Sequence, residues 1–382
     1  MFNQLREGPE EMLKRFSVIN FKNFGHRVVF ELDRPSNYEF NDVVVQNGCI
    51  SKGIIYGING SGKSNLALAI FDIILHLTDK EKAIDKYALY LNLSSSKPIA
   101  EFEYVFAFDG IEVIYKYGKK DAMTLVYETL IIDGTEVVSY DFNTQKGYTI
   151  LKGAETLQLT SELQTGAEKL SRVKFIKSNA ILENNETNRA FVSFTSFVDN
   201  MLMFYSLDSN RYQGLSIGAD SYTQGIIRHG KLKEFEKFLQ EQRIDYHLVA
   251  LDVNGINELF CQFPRQTVPF TMVASTGTRS LALFYYWYTV MSKASLVFID
   301  EYDAFYHFEL SQELVKLVRS LNQTQVFLTT HNTDLLSNEL LRPDAYFIIE
   351  NNKMCSLDKK TDKELRKAHN LQKMYKAGSF NE

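Results

Sequence analysis

The hydrophobic positions change period along the chain, and each change predicts a different kind of element. Between Arg15 and Phe30 the apolar residues Phe16, Val18, Val28 and Phe30 alternate with polar ones around a turn, which predicts two short strands. Gly53-Ile54-Ile55-Tyr56 is a brief apolar run stopped by glycine, and an apolar helix is expected from Ser64 to about Leu77. Alternation returns at Glu101–Phe108, where Phe102, Tyr104, Phe106 and Phe108 share one face. Asp109-Gly110 then signals a turn, Ile111, Val113, Tyr115 and Tyr117 alternate on the way back, and Asp133-Gly134 repeats the turn. This is the pattern of an antiparallel β-meander.

From about Thr160 to Gln262 the pattern predicts helices, clearest at Ala190–Tyr205 and Lys231–Gln242, with Ser206–Gly225 as loop. After Ser275 short apolar strands alternate with helices: a helix at Ser280–Ser292, a strand at Leu296–Asp300, a helix at Leu310–Leu321, and strands at Gln325–Thr329 and Tyr346–Ile349. Strands apolar on both faces predict a parallel sheet covered on both sides. Part of that sheet precedes residue 80 and part follows 290, so the middle reads as an insertion. The expected division is 1–160 as the N-terminal part of one α/β domain, 161–265 as a helical lobe, and 266–382 as the C-terminal part. No heptad repeat predicts a coiled-coil arm.

Composition narrows the class without setting the chemistry. Of 382 residues, 45% are hydrophobic and 23% charged, and only 6 are proline, which argues for a folded core and against long disordered linkers. The net charge of −5 excludes a generally basic nucleic-acid binder. The stretch Lys353–Lys376 is locally basic and reads either as a contact for an anionic partner or as a solvated helix face. Cys49, Cys261 and Cys355 are far apart and show no metal-ligand spacing. The N-terminal Arg6, Glu7, Glu10 and Glu11 do not form the apolar run of a signal peptide, and no 18 consecutive residues are apolar. A soluble, cytoplasmic protein with no membrane association is expected.

The candidate chemistry lies in four short stretches. Gly57-Ile58-Asn59-Gly60-Ser61-Gly62-Lys63-Ser64 matches G-x-x-x-x-G-K-[ST], a match expected by chance about once in a hundred chains of this length. Its backbone amides and the following helix N-terminus suit phosphate oxygens, with Lys63 on the β- and γ-phosphates and Ser64 on Mg²⁺. Leu296-Val297-Phe298-Ile299-Asp300-Glu301 is an apolar strand ending in two acids. Asp300 is placed to hold the cation opposite Ser64, and Glu301 to polarise a water for attack on the γ-phosphorus. Val326-Phe327-Leu328-Thr329-Thr330-His331 ends in hydroxyls and a histidine that could read the γ-phosphate. His307 is expected to be structural or interfacial. Ser275-Thr276-Gly277-Thr278 opens an aromatic helix and suits either a plain helix cap or a second anion site. In the latter case it would cover phosphate held by a partner chain.

These pieces, in this order, resemble the ABC-type ATPase heads. Ser275-Thr276-Gly277-Thr278 stands where that superfamily has its signature loop, Asp300-Glu301 matches the Walker B acids, and His331 matches the switch histidine. Val18-Ile19-Asn20-Phe21-Lys22-Asn23-Phe24 and Gly62-Lys63-Ser64-Asn65 look like the RecF, SMC and OLD branch, closest to the small OLD-like ATPases of bacterial antiphage (abortive infection) systems. The resemblance implies an α/β fold: a P-loop ATPase head with a mixed or parallel core sheet, an antiparallel meander and an inserted helical lobe. It implies ATP and Mg²⁺ as cofactors, with ATP sandwiched in a homodimer or a higher oligomer. Site residues carried over are Gly57, Asn59, Gly60, Ser61, Gly62, Lys63, Ser64 and Asn65 on nucleotide, Lys22 beside it, and Ser275 and Gly277 from the second copy. Glu301, His331 and Lys63 would be catalytic, and Ser64 and Asp300 metal ligands. Tyr302 replaces the proline usual after the acids in transporters, and no Q-loop glutamine can be assigned. Only 51 residues follow His331, too few for the nuclease domain of OLD proteins, so an effector nuclease or toxin would act in trans. The alternative is a RecF-like repair ATPase that binds DNA directly.

Overall fold

Runs that are apolar on both faces assemble into one sheet, and runs with alternating faces assemble into another. The computed structural model describes residues 11–80, 83–157, 170–207, 211–215 and 221–380; Arg6, Glu7 and Glu10 lie outside them. The first sheet has the strand order Arg211–Gly214, Leu202–Tyr205, Leu296–Asp300, Gln325–Thr330, Lys52–Tyr56, Tyr346–Glu350, Lys353–Ser356. Its five inner strands are parallel and its two edge strands antiparallel. The second sheet is antiparallel throughout and carries the meander: Lys146–Thr149, Thr135–Asp141, Leu125–Ile132, Ile111–Lys119, Ala100–Phe108, Glu11–Ile19, Val28–Glu31. The mixed α/β fold expected from the sequence is the one found.

Helix Lys63–Phe71 is buried at every position from Leu66 to Phe71, as a helix apolar on all sides must be. Its Ala69 and Ile70 carbonyls accept from the Tyr104 hydroxyl of the meander, at 2.9 and 3.1 Å. The two sheets also meet directly. The Phe30 ring lies edge-on to Phe327 and Phe347, both at 4.9 Å, and Gln325 exchanges hydrogen bonds with the Leu13 amide and carbonyl. One continuous core results.

The middle of the chain differs from expectation. The stretch Ala190–Tyr205 is not one helix: helix Glu186–Asp199 stops at Asn200, and Leu202–Tyr205 becomes a fully buried strand beside Leu296–Asp300. The parallel sheet therefore draws on the stretch expected to be an insertion outside it. Ser206–Gly225 is not all loop. It includes strand Arg211–Gly214 and the start of helix Tyr222–Arg228, whose Ser221 and Gln224 form a capping box. The expected helical lobe also holds two strands of a three-stranded antiparallel sheet, Leu248–Val253 and Ile256–Gln262, which Thr267–Pro269 completes just beyond it. Its first hairpin turns at Asn254-Gly255, both with left-handed φ (55° and 83°), the backbone that tight hairpins require. Among the described residues no helix is long and apolar enough to cross a membrane.

Candidate functional site

Parallel pairing brings three strand ends to one edge. Thr329 lies opposite Ile55, Thr330 opposite Tyr56, and Leu328 opposite Ile299. The chain therefore leaves Tyr56, Asp300 and Thr330 side by side, at the edge where such sheets bind ligands.

The phosphate loop follows Tyr56. A Cβ on Gly57 would lie 2.2 Å from Ser61 Oγ and 2.8 Å from the Ile349 carbonyl, and one on Gly62 (φ 108°) would lie 2.6 Å from Asn23 Nδ2. Glycine at both positions lets the backbone close on itself and arrive at the N-terminus of helix Lys63–Phe71. Ile58, Asn59 and Gly60 are exposed, whereas the Ser61 hydroxyl is buried with no hydrogen-bond partner among the described residues. An unmatched hydroxyl inside a loop of this shape fits a phosphate oxygen.

The acids converge on that loop. Asp300 accepts from Thr329 Oγ1 at 2.7 Å and from the Ser64 hydroxyl. Burial raises its pKa above the ordinary carboxylate value, and those two hydrogen bonds oppose the rise. A serine hydroxyl and a carboxylate meeting here are hard oxygen donors of the kind Mg²⁺ takes alongside phosphate oxygens. No cluster of three or more His, Cys, Asp or Glu suited to a metal occurs among the described residues. Glu301 stands at φ 49°, uncommon for a residue other than glycine. Its carboxylate reaches Lys63 Nζ at 3.2 Å through one oxygen and His331 Nδ1 at 3.1 Å through the other. Lys63 also donates to the Gly57 carbonyl at 2.9 Å. Lys63, Glu301 and His331 thus form one connected group, with Ser64 and Asp300 beside it.

Other expected residues lie outside that connected group. Lys22 Nζ donates to the Ala88 carbonyl at 2.8 Å, and burial lowers its pKa. The adjacent Asn23 is the one that touches the loop: its amide nitrogen reaches the Ser61 carbonyl (3.4 Å) and Asn352 Oδ1 (3.0 Å), and its oxygen accepts from Asn65 (2.7 Å). Sequence reasoning assigned Asn23 no role, although it sits inside the Val18–Phe24 stretch. Ser275 caps helix Thr276–Met291, its hydroxyl engaged with the Thr278 amide (3.1 Å) and hydroxyl (2.9 Å). Gly277 lies against the Phe305 carbonyl in the turn after the acids, where a Cβ would come within 3.1 Å. No described hydrogen bond links Ser275 or Gly277 to Gly57–Ser64, and Ser275 and Thr276 are exposed. His307 caps helix Phe308–Arg319, accepting from the Leu310 amide at 3.3 Å. In the basic stretch, Lys359, Lys360, Arg366 and Lys376 pair with Glu31, Glu350, Glu364 and Asp334 of the same chain.

A protein-family model described as "AAA domain, putative AbiEii toxin, Type IV TA system" matches residues 54–337, and the chain belongs to that family. No curated protein matches it. Among solved structures, the chain is similar to the SMC head domain from Thermotoga maritima, with 16% identity, a TM-score of 0.41, and coverage of 90% of this chain and 97% of that one. It is also similar to an SmcHead bound to the C-winged helix domain of ScpA, with 14% identity, a TM-score of 0.44, and coverage of 90% and 96%. A third likeness is an Smc head domain with an extended coiled coil, bound to the C-terminal domain of ScpA derived from Pyrococcus furiosus. It has 11% identity, a TM-score of 0.44, and coverage of 91% and 96%.

Proposed function

We propose that this member of the AAA family binds and hydrolyses ATP, and that two copies sandwich the nucleotide between them. The observation that carries the reading is the joining of Lys63, Glu301 and His331 beside the Ser64–Asp300 contact, at the end of a parallel sheet. In this reading the amides of Gly57–Ser64 and the Lys63 ammonium hold the phosphates, with Asn59 and Asn65 at the rim. Ser64 and Asp300 would hold Mg²⁺, which would supply charge neutralisation to the phosphates. Lys63 exchanges Glu301 for phosphate, freeing that carboxylate to take a proton from water as the water oxygen bonds to the γ-phosphorus. The bond to the bridging oxygen breaks and ADP leaves with its electrons. His331, freed from Glu301 on the same exchange, donates to the γ-phosphate. Ser275 and Gly277 of the second copy cover that phosphate through the helix N-terminus they open.

The family's description as a putative toxin of a type IV toxin–antitoxin system supports a role in bacterial antiphage defence. There the ATPase acts as sensor or regulator of a separate nuclease or toxin. Direct DNA binding of the RecF kind draws less support, because half of the basic side chains in Lys353–Lys376 are already paired within the chain.

The test is light scattering after gel filtration with saturating ATP and Mg²⁺, alongside phosphate release. Glu301→Gln is expected to elute as a dimer and to release phosphate about 10²–10⁴ times more slowly than wild type. A Glu301→Gln protein that stays monomeric removes the sandwich, and a wild type without phosphate release removes hydrolysis.

A further inference from the structure

Thr329 is fully buried in the strand that separates the acids from the phosphate-loop strand. The residues before it, Val326, Phe327 and Leu328, are apolar core, so a hydroxyl at this position must find partners. It finds them in the turn after the neighbouring strand. The Thr329 hydroxyl donates to Asp300 Oδ1 at 2.7 Å and accepts from the Glu301 amide at 2.8 Å, and the Thr329 carbonyl accepts from the Tyr302 amide at 3.1 Å. Three consecutive residues are therefore tied to one threonine. A hydroxyl has a single proton, and giving it to Asp300 turns a lone pair toward the Glu301 N–H. The middle residue of the three, Glu301, is the one at φ 49°. An L-residue stays in that region only where its surroundings over-determine it. The adjacent Thr330 points elsewhere: its hydroxyl accepts from the Asn332 amide at 2.9 Å and hydrogen-bonds Asp303.

We propose that Thr329 is a positioning residue which fixes the two acids relative to each other, holding the Asp300 carboxylate and, through the Glu301 amide, the left-handed turn that aims the Glu301 side chain at Lys63 and His331. Valine would fill the same space and keep the strand, but would leave the Asp300 carboxylate one donor short and the Glu301 amide without an acceptor. Serine would keep both bonds. The proposal rests on the reading of Asp300 and Glu301 as the acids of phosphoryl transfer, and its test separates the two ideas.

The experiment measures residue-resolved amide hydrogen exchange on the full chain without added nucleotide, and kcat and KM for ATP with Mg²⁺, in Thr329→Val and Thr329→Ser. The expected result for valine is exchange of the Glu301 amide at least about tenfold faster. Its kcat should fall about 10–100-fold and its KM change less than about threefold, because displacing a reacting group by an ångström or less costs rate before it costs binding. Serine should return both readouts to within about threefold of wild type. Exchange and kcat at wild-type values in Thr329→Val would overturn the proposal, as would a serine variant as defective as valine, since that result marks a packing role. Should Thr329→Val not fold, Thr329→Cys, with a thiol of similar size and weak hydrogen bonding, is held to the same thresholds. A wild type that turns over no ATP would remove the proposed function, while the exchange comparison would still decide whether Thr329 clamps the turn.

Discussion

Lys63 and Lys119 are both buried lysines beside a carboxylate, yet their surroundings differ. Lys119 and Asp72 are 2.7 Å apart with neither side chain exposed. Asp72 also accepts from the Tyr90 and Tyr117 hydroxyls (2.8 and 2.9 Å), and Lys119 donates to the Ala122 carbonyl. Burial raises the Asp72 pKa, with Lys119 and the tyrosine hydrogen bonds pulling against it. Lys63 and Glu301 are farther apart at 3.2 Å, with the side chains 4% and 12% exposed, and Glu301 divides its oxygens between Lys63 and a largely exposed His331. One pair is sealed between the phosphate-loop helix and the meander. The other opens on the sheet edge, where a phosphate can replace the acid. A saturated, dry pair holds elements together, whereas a pair at a mouth is able to exchange partners.

Matched substitutions break this comparison most sharply. Lys63→Met is expected to lower ATP turnover at least about 100-fold while changing unfolding free energy by no more than about 1 kcal/mol. Lys119→Met should do the reverse, costing about 3–5 kcal/mol in urea unfolding by taking the cation away from the buried Asp72 carboxylate, while ATP affinity of the folded fraction is kept. Adding Asp72→Asn to Lys119→Met should recover part of that loss, because the stranded charge goes with it.

A third lysine extends the contrast with a pH scan. Lys52 is buried, donates to the Thr324 carbonyl (2.7 Å) and to Ser51 Oγ, and has no carboxylate partner among the described residues; burial lowers its pKa from 10.5 to about 7. Between those values the unfolded chain holds a proton that the folded chain lacks, so stability rises with pH. The penalty is full below pH 7 and relieved as pH climbs toward 10.5. Its slope is at most about 1.4 kcal/mol per pH unit. Lys52→Met should flatten that slope in chemical denaturation across the same range. The smallest effect is expected at Lys22, whose ammonium is bound to the Ala88 carbonyl. Lys22→Ala should weaken ATP binding by less than about tenfold in titration calorimetry, the worth of one hydrogen bond.

What could be read from the residues alone follows from how each element is buried. Leu296–Asp300 was predicted to the residue, because four apolar positions end abruptly in two acids. Leu202–Tyr205 was lost, because Phe191, Phe194, Phe197, Val198 and Met201 lead into it with helical spacing, and a four-residue strand buried throughout carries no alternation of its own. The Leu248–Gln262 hairpin had a signal in Asn254-Gly255 that a helical reading of the region passed over. In the site, the loop, the acids and His331 were legible as motifs, and the structure brings them together. Asn23 and Thr329 were not assigned, because their parts depend on which strands lie side by side, and that order is set by residues far apart in sequence.

That strand order also sets when the pocket can exist during synthesis. Strand Lys52–Tyr56 is made before both of its neighbours in the sheet, Gln325–Thr330 and Tyr346–Glu350. A growing chain on the ribosome therefore carries Gly57–Ser64 before either flanking strand or the acids have been made. The pocket can close only once Tyr346–Glu350 has also been made, so shorter nascent chains hold the loop without its neighbours.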